Sequence, residues 1–233
     1  MTDDHRQRAQ VLGGIALASV LAWQTALGSL VLYPFTILAT WFHEMGHGIG
    51  AMLTGNQFER LVIYADGSGV AQSLRPVDGL ALTDAVIAAA GPLGPAAAGA
   101  LLIVASRSPK TTRIALAVLG AALVLSTAIW VRSLVGWLVL PALGLAILLI
   151  ALRLSPQVQQ FAIQLLGVQA CISVWKQFDY LFSPGGIVGG QMQRSDTGAI
   201  ADALFLPYWF WGAGISAAIL ALLWGSFRTA FHS

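Results

Sequence analysis

The chain is dominated by apolar runs of about 20 residues, the length that carries an α-helix across a bilayer. Between Val11 and Leu53 the single charged residue is Glu44. Over the whole sequence 57% of residues are hydrophobic and 9% are charged, against about 25% charged in a soluble domain. The runs predict about seven spans. They cover Val11–Leu32, Pro34–Leu53, Leu82–Ala105, Thr112–Val131, Leu134–Leu152, Pro156–Phe178 and Ala203–Phe227. The N-terminal run is too long for a signal-peptide core and reads as a retained first span. Residues 156–178 are the least apolar of these, with Gln157, Gln159, Gln160, Gln164 and Gln169, so this span is expected to face the bundle interior or a water-filled cavity.

Two segments interrupt the spans. Asp66-Gly67 lies between short β-prone runs, which signals a hairpin over residues 56–73. Ser183–Asp196, with Pro184, Gly185, Gly186, Gly189 and Gly190, reads as a flexible loop. The expected fold class is therefore an all-α membrane protein of about seven transmembrane helices, with a small β-hairpin between the second and third. No linker divides residues 1–233, which read as a single integral membrane domain. The net charge of +2 gives no argument for nucleic acid. One cysteine, Cys171, excludes an internal disulfide and a Cys-rich metal site. A slight excess of Arg and Lys on the side of the N-terminus predicts that this end is cytoplasmic.

His43-Glu44-Met45-Gly46-His47 stands inside the second run, between Trp41-Phe42 and Ile49. Ionisable groups in hydrocarbon cost several kcal/mol each. Three within five residues need a reason, and a bound cation supplies one. At i and i+4 on a helix, His43 and His47 share a face and can hold one metal ion. Glu44 borders that face, placed to take a proton from water rather than to ligate. This is the division of labour of a zinc hydrolase: two His hold Zn²⁺ and the Glu is the general base.

A catalytic zinc usually has a third protein ligand. His5 and His232 lie at the termini of a chain with four histidines. Leu53 occupies the position where another zinc-protease pattern has its third His. Asp66 is accounted for by its turn, Asp84 by a helix start, and Cys171 by packing. Asp179, Asp196 and Asp202 remain. Asp179, in the aromatic patch Trp175–Tyr180 at the end of region 156–182, is the expected ligand. Asp196 in Ser195-Asp196-Thr197-Gly198 reads first as a helix cap and stands as the alternative.

The chain resembles the site-2 protease family of intramembrane zinc metallopeptidases, and within it the small bacterial B-like branch. The resemblance rests on the His43–His47 motif within a span, the hairpin with Gly55, Gly67 and Gly69, Ala90-Gly91-Pro92-Leu93-Gly94 in the next span, and a carboxylate on a later one. Asp179 is followed by Tyr180 rather than the family's Gly, and Gly94-Pro95 stands where an Asn is usual. The resemblance implies a zinc metalloendopeptidase of a bacterial cell membrane, with His43, His47 and a later Asp on zinc and Glu44 as base. Its substrate would be a transmembrane protein, held extended by the hairpin and cut in or beside its membrane segment. A membrane metal transporter using the same residues, or a non-catalytic scaffold, are the alternatives. A transporter usually shows repeats or several acidic sites along a path, which this chain lacks. A scaffold would be expected to have lost one of the three motif residues.

Overall fold

The structure, a computed structural model, describes residues 3–74, 76 and 79–231. Six helices in it are long and apolar enough to cross a membrane. They are α2 (Ala26–Leu53), α3 (Ala81–Ala105), α4 (Pro109–Ile129), α5 (Leu134–Arg153), α6 (Pro156–Lys176) and α9 (Tyr208–Phe231). Helix α1 (Asp3–Trp23) adds a shorter apolar stretch, Gln10–Trp23. The protein is thus a multi-pass integral membrane protein, mainly helical.

The first predicted span divides differently from expectation. Helix α1 stops at Trp23, and Thr25 caps α2, its side chain accepting from the Gly28 amide. Gly28 permits the sharp join, since a Cβ there would stand 2.0 Å from the Ala22 carbonyl oxygen. Helix α2 then runs through Pro34 without stopping. The last span also divides. The short helix α8 (Asp196–Leu204) ends at Phe205, which is left-handed at φ 59°, and α9 follows Pro207.

Helix α3 lies at the centre, packed against α2, α6, α8 and α9. Small residues make the α2–α3 approach close. A Cβ on Gly46 would stand 2.2 Å from the Ala90 carbonyl oxygen, and one on Gly94 2.3 Å from that of Phe42. In lipid, where apolar surfaces gain little by leaving the solvent, such backbone approach is a main source of helix association. Most glutamines of α6 turn inward as expected, Gln157 in its first turn being exposed. Gln159, Gln164 and Gln169 are buried, and Gln169 donates to Ser19 on α1 at 2.8 Å. On the opposite side of α2, the buried Trp41 indole donates to Ser126 Oγ on α4 at 2.9 Å.

The expected hairpin forms from β1 (Gln57–Ile63) and β2 (Gly69–Leu74), antiparallel, with Asp66 closing the turn by accepting from the Ser68 amide at 2.9 Å. These bonds from Ser68 hold the Asp66 carboxyl below its ordinary range. The turn is tied to α2 by Tyr33, whose hydroxyl donates to the Ala65 carbonyl at 2.9 Å, and by Thr40, which donates to that of Gly67. The outer edge of β1 is covered by the α4–α5 turn. The Leu61 amide donates to the Trp130 carbonyl at 2.9 Å, and the Arg132 amide donates to the Leu61 carbonyl at 2.8 Å. A hairpin of two strands is marginal alone; here α2 and the α4–α5 turn hold it.

Residues 183–196, expected as a flexible loop, contain a second hairpin. After the one-turn helix α7 (Phe178–Leu181) come β3 (Gly185–Val188) and β4 (Gln191–Arg194), paired antiparallel about Gly189-Gly190. Both turn glycines have positive φ, 56° and 79°. A two-residue turn of this hand needs that conformation at both positions. Gly-Gly between short β-prone runs is itself a hairpin signal, here masked by the density of glycine around it.

Candidate metal and catalytic site

The helical periodicity of α2 sets His43 and His47 on one face, with ring centroids 4.8 Å apart. Their Nε2 atoms are 3.1 Å from each other. Each ring is oriented from behind. His43 Nδ1 lies 3.1 Å from Gln177 Oε1 at the end of α6, and His47 Nδ1 lies 2.8 Å from the Ile87 carbonyl oxygen on α3. Both partners are acceptors, so each Nδ1 carries the proton and donates it. Each Nε2 then presents a lone pair to the common centre. Such outer partners fix tautomer and ring angle in metal sites.

Asp196 completes the group. Its Oδ2 is 3.1 Å from His43 Nε2 and its Oδ1 3.2 Å from His47 Nε2. Asp196 occupies the first turn of α8, whose N-cap is Ser195 rather than Asp196 itself. Ser195 Oγ accepts from the Gly198 amide at 3.0 Å and donates to the Ser183 carbonyl. Thr197 Oγ1 donates to the Leu181 carbonyl at 2.9 Å. Ser195 and Thr197 are both fully buried. With the capping done by its neighbour, the Asp196 side chain is free to turn to the histidines.

The third corner thus differs from the expectation at Asp179. That residue lies exposed on α7 and does not join His43 and His47. The predicted region 156–182 does reach the centre, but through Gln177, which orients His43. Four residues of α7 turn the chain away after Gln177.

His43, His47 and Asp196 can together offer one ligand atom each to a metal ion. Three acceptors converging at 3.1–3.2 Å with no proton among them repel unless a cation lies between. Tetrahedral zinc with bonds of about 2.0–2.1 Å sets its ligands about 3.3 Å apart, close to these spacings. Asp196 Oδ2 is buried and has no hydrogen-bond donor. Its neighbour His43 Nε2 has no proton to give, because Nδ1 holds it. Gly91 leaves the space: a Cβ there would stand 2.2 Å from His47 Cε1 and Nε2 and 2.9 Å from His43 Nε2. The residues therefore fit a zinc ion.

Glu44 is buried beside the pair, under β2. A Cβ on Gly69 would stand 3.0 Å from its Oε1, so glycine lets the strand lie directly on the carboxylate. The group opens into a cleft of about 740 Å³ walled by β2, α8, β4 and the start of α3. Tyr180 also lines it. Burial, with the Asp196 and Glu44 carboxylates behind it, pushes the tyrosine hydroxyl above its ordinary range. It therefore stays a neutral donor, bonded to the Arg194 carbonyl at 3.1 Å.

A family model described as Peptidase M50B-like matches residues 12–226. The chain belongs to this family, which is one of the site-2 proteases. No curated protein and no solved structure matches it. Family and fold together define a membrane protease whose half-buried His43–His47–Asp196 group is compatible with a metallopeptidase centre.

Proposed function

We propose that the protein is an intramembrane zinc metalloendopeptidase that hydrolyses peptide bonds in or beside transmembrane segments of other membrane proteins. The observation that carries this reading is the convergence of His43 Nε2, His47 Nε2 and the Asp196 carboxylate at 3.1–3.2 Å, with Glu44 buried alongside. His43, His47 and Asp196 hold the metal. Zinc bound there supplies Lewis acidity toward the scissile carbonyl and toward water.

Glu44 is the general base. It takes a proton from the attacking water and returns it to the leaving amide nitrogen. Substrate is held by β2. Leu61 turns its N–H and C=O away from β2, toward Trp130 and Arg132. Its cross-strand partner Ala71 must then turn its own groups away from β1, as do Gly69 and Ser73 at alternate positions. That edge faces the cleft. An extended segment pairing with it lies alongside Glu44, and a helical substrate must unwind locally to do so.

The test uses purified protein and a model transmembrane substrate. Glu44→Gln should retain one zinc per chain and lose cleavage by at least about 100-fold, the scale on which general bases contribute. Cleavage at the wild-type rate would overturn the assignment.

A further inference from the structure

The β2 edge ends at Gly69, and the next residue back, Ser68, is where the second hairpin touches the first. The Gly189 amide donates to Ser68 Oγ at 3.3 Å. The Tyr64 ring fills the space beside Gly189, where a Cβ would stand 2.3 Å from the ring. An extended chain added along Ser73–Gly69 therefore meets the joined hairpin tips just past Glu44. A segment ending there fits. A polypeptide continuing beyond does not, unless the tips part.

The second hairpin is fixed at its base and lightly held at its tip. At the base, Ser195 and Thr197 bond to Ser183 and Leu181 and are fully buried. Among the described residues, one long hydrogen bond and one ring contact tie the tip to the first hairpin. Between them, Ile187 and Met192 expose their side chains, 71% and 78% accessible. The tip can thus swing while the base keeps Asp196 on the histidines.

We propose that the contact of Gly189 with Ser68 and Tyr64 is a latch, and that it opens to let a continuous substrate chain run through the cleft while Asp196 stays in place. This rests on the proteolytic reading above and adds that β4, whose Gln193 and Arg194 line the cleft opposite β2, closes over the threaded segment as a second wall.

The test pins the latch. In a Cys171→Ala background, Ala65→Cys with Gln191→Cys, both at exposed positions, keeps Tyr64, Gly189 and Gly190 in place and allows the tips to be joined by a short, reducible thiol cross-linker. The cross-linked protein should lose cleavage of a transmembrane substrate at least tenfold, keep cleavage of a short peptide within twofold, and keep its zinc. Reduction should restore the first activity. Undiminished cleavage of the transmembrane substrate, or equal loss on both substrates, overturns the proposal. A second measurement is independent of turnover. Spin labels at Ala65→Cys and Gln191→Cys, in Cys171→Ala, Glu44→Gln protein, should move apart by several ångströms when the transmembrane substrate is added. An unchanged separation also overturns the latch. Failure of Glu44→Gln to abolish cleavage in the uncross-linked protein strikes the proteolytic reading instead.

Discussion

Gly91→Ala should remove the metal while leaving the helices in place. The added methyl would stand 2.2 Å from His47 Cε1 and Nε2, whereas non-bonded carbons rest at about 3.5–4.0 Å. The His47 ring must move by more than about 1 Å to accommodate it. It cannot swing freely, because its Nδ1 is held 2.8 Å from the Ile87 carbonyl on the same helix as Gly91. Metal sites tolerate distance errors of about 0.2 Å, so the displacement is several times too large. Zinc affinity should fall at least about 100-fold, beyond the usual cost of losing an outer-shell partner. Overpacking should take about 1–3 kcal/mol from stability, leaving the helical circular dichroism intact. Gly50→Ala is the control: its methyl would press on the Ala90 methyl at 2.8 Å and stand in ordinary contact, 3.4 Å, with Ile87 Cα, about one helical turn past His47. It strains the same α2–α3 contact without touching an imidazole. The assay is zinc competition titration against a chelating dye in detergent. Wild-type affinity in Gly91→Ala would refute the reasoning, as would equal loss in both variants.

Three further outcomes follow from the same geometry. Asp196→Asn should deplete zinc in the purified protein by metal analysis and Asp179→Asn should not; depletion in the second alone would restore Asp179 as the ligand. Gln177→Leu removes the acceptor behind His43 and should weaken zinc about 10-fold or more, read by the same titration, with the fold retained. Ser126→Ala leaves the buried Trp41 N–H without its partner and should cost about 1–3 kcal/mol, seen as a lowered Tm with zinc content unchanged.

Much of this arrangement is legible in the residues. The apolar runs fix the helical membrane class, and the i, i+4 spacing fixes two convergent imidazoles with a carboxylate beside them. The Asp-Gly turn is read correctly because its signal is local: Asp66 bonds to Ser68, two residues away. Asp196 is harder, because the carboxylate in Ser195-Asp196-Thr197-Gly198 could cap the helix as well as Ser195 does. Only the folded chain shows that Ser195 caps it. Asp179, the ligand expected from the sequence, has the more aromatic surroundings there, yet α7 leaves it exposed and Gln177 at the site.

The sequence by itself therefore determined what depends on neighbours along the chain: spans, the helical face of His43 and His47, and the first hairpin. The tertiary structure decided what depends on distant segments meeting. That includes the third corner from a residue 149 positions after His47, the space that Gly91 leaves for an imidazole, and the contact of Gly189 with Ser68 and Tyr64 that joins the two hairpin tips. The physical reason is range. Backbone periodicity and turn chemistry act over a few residues, whereas a buried polar group finds its partner wherever packing brings one.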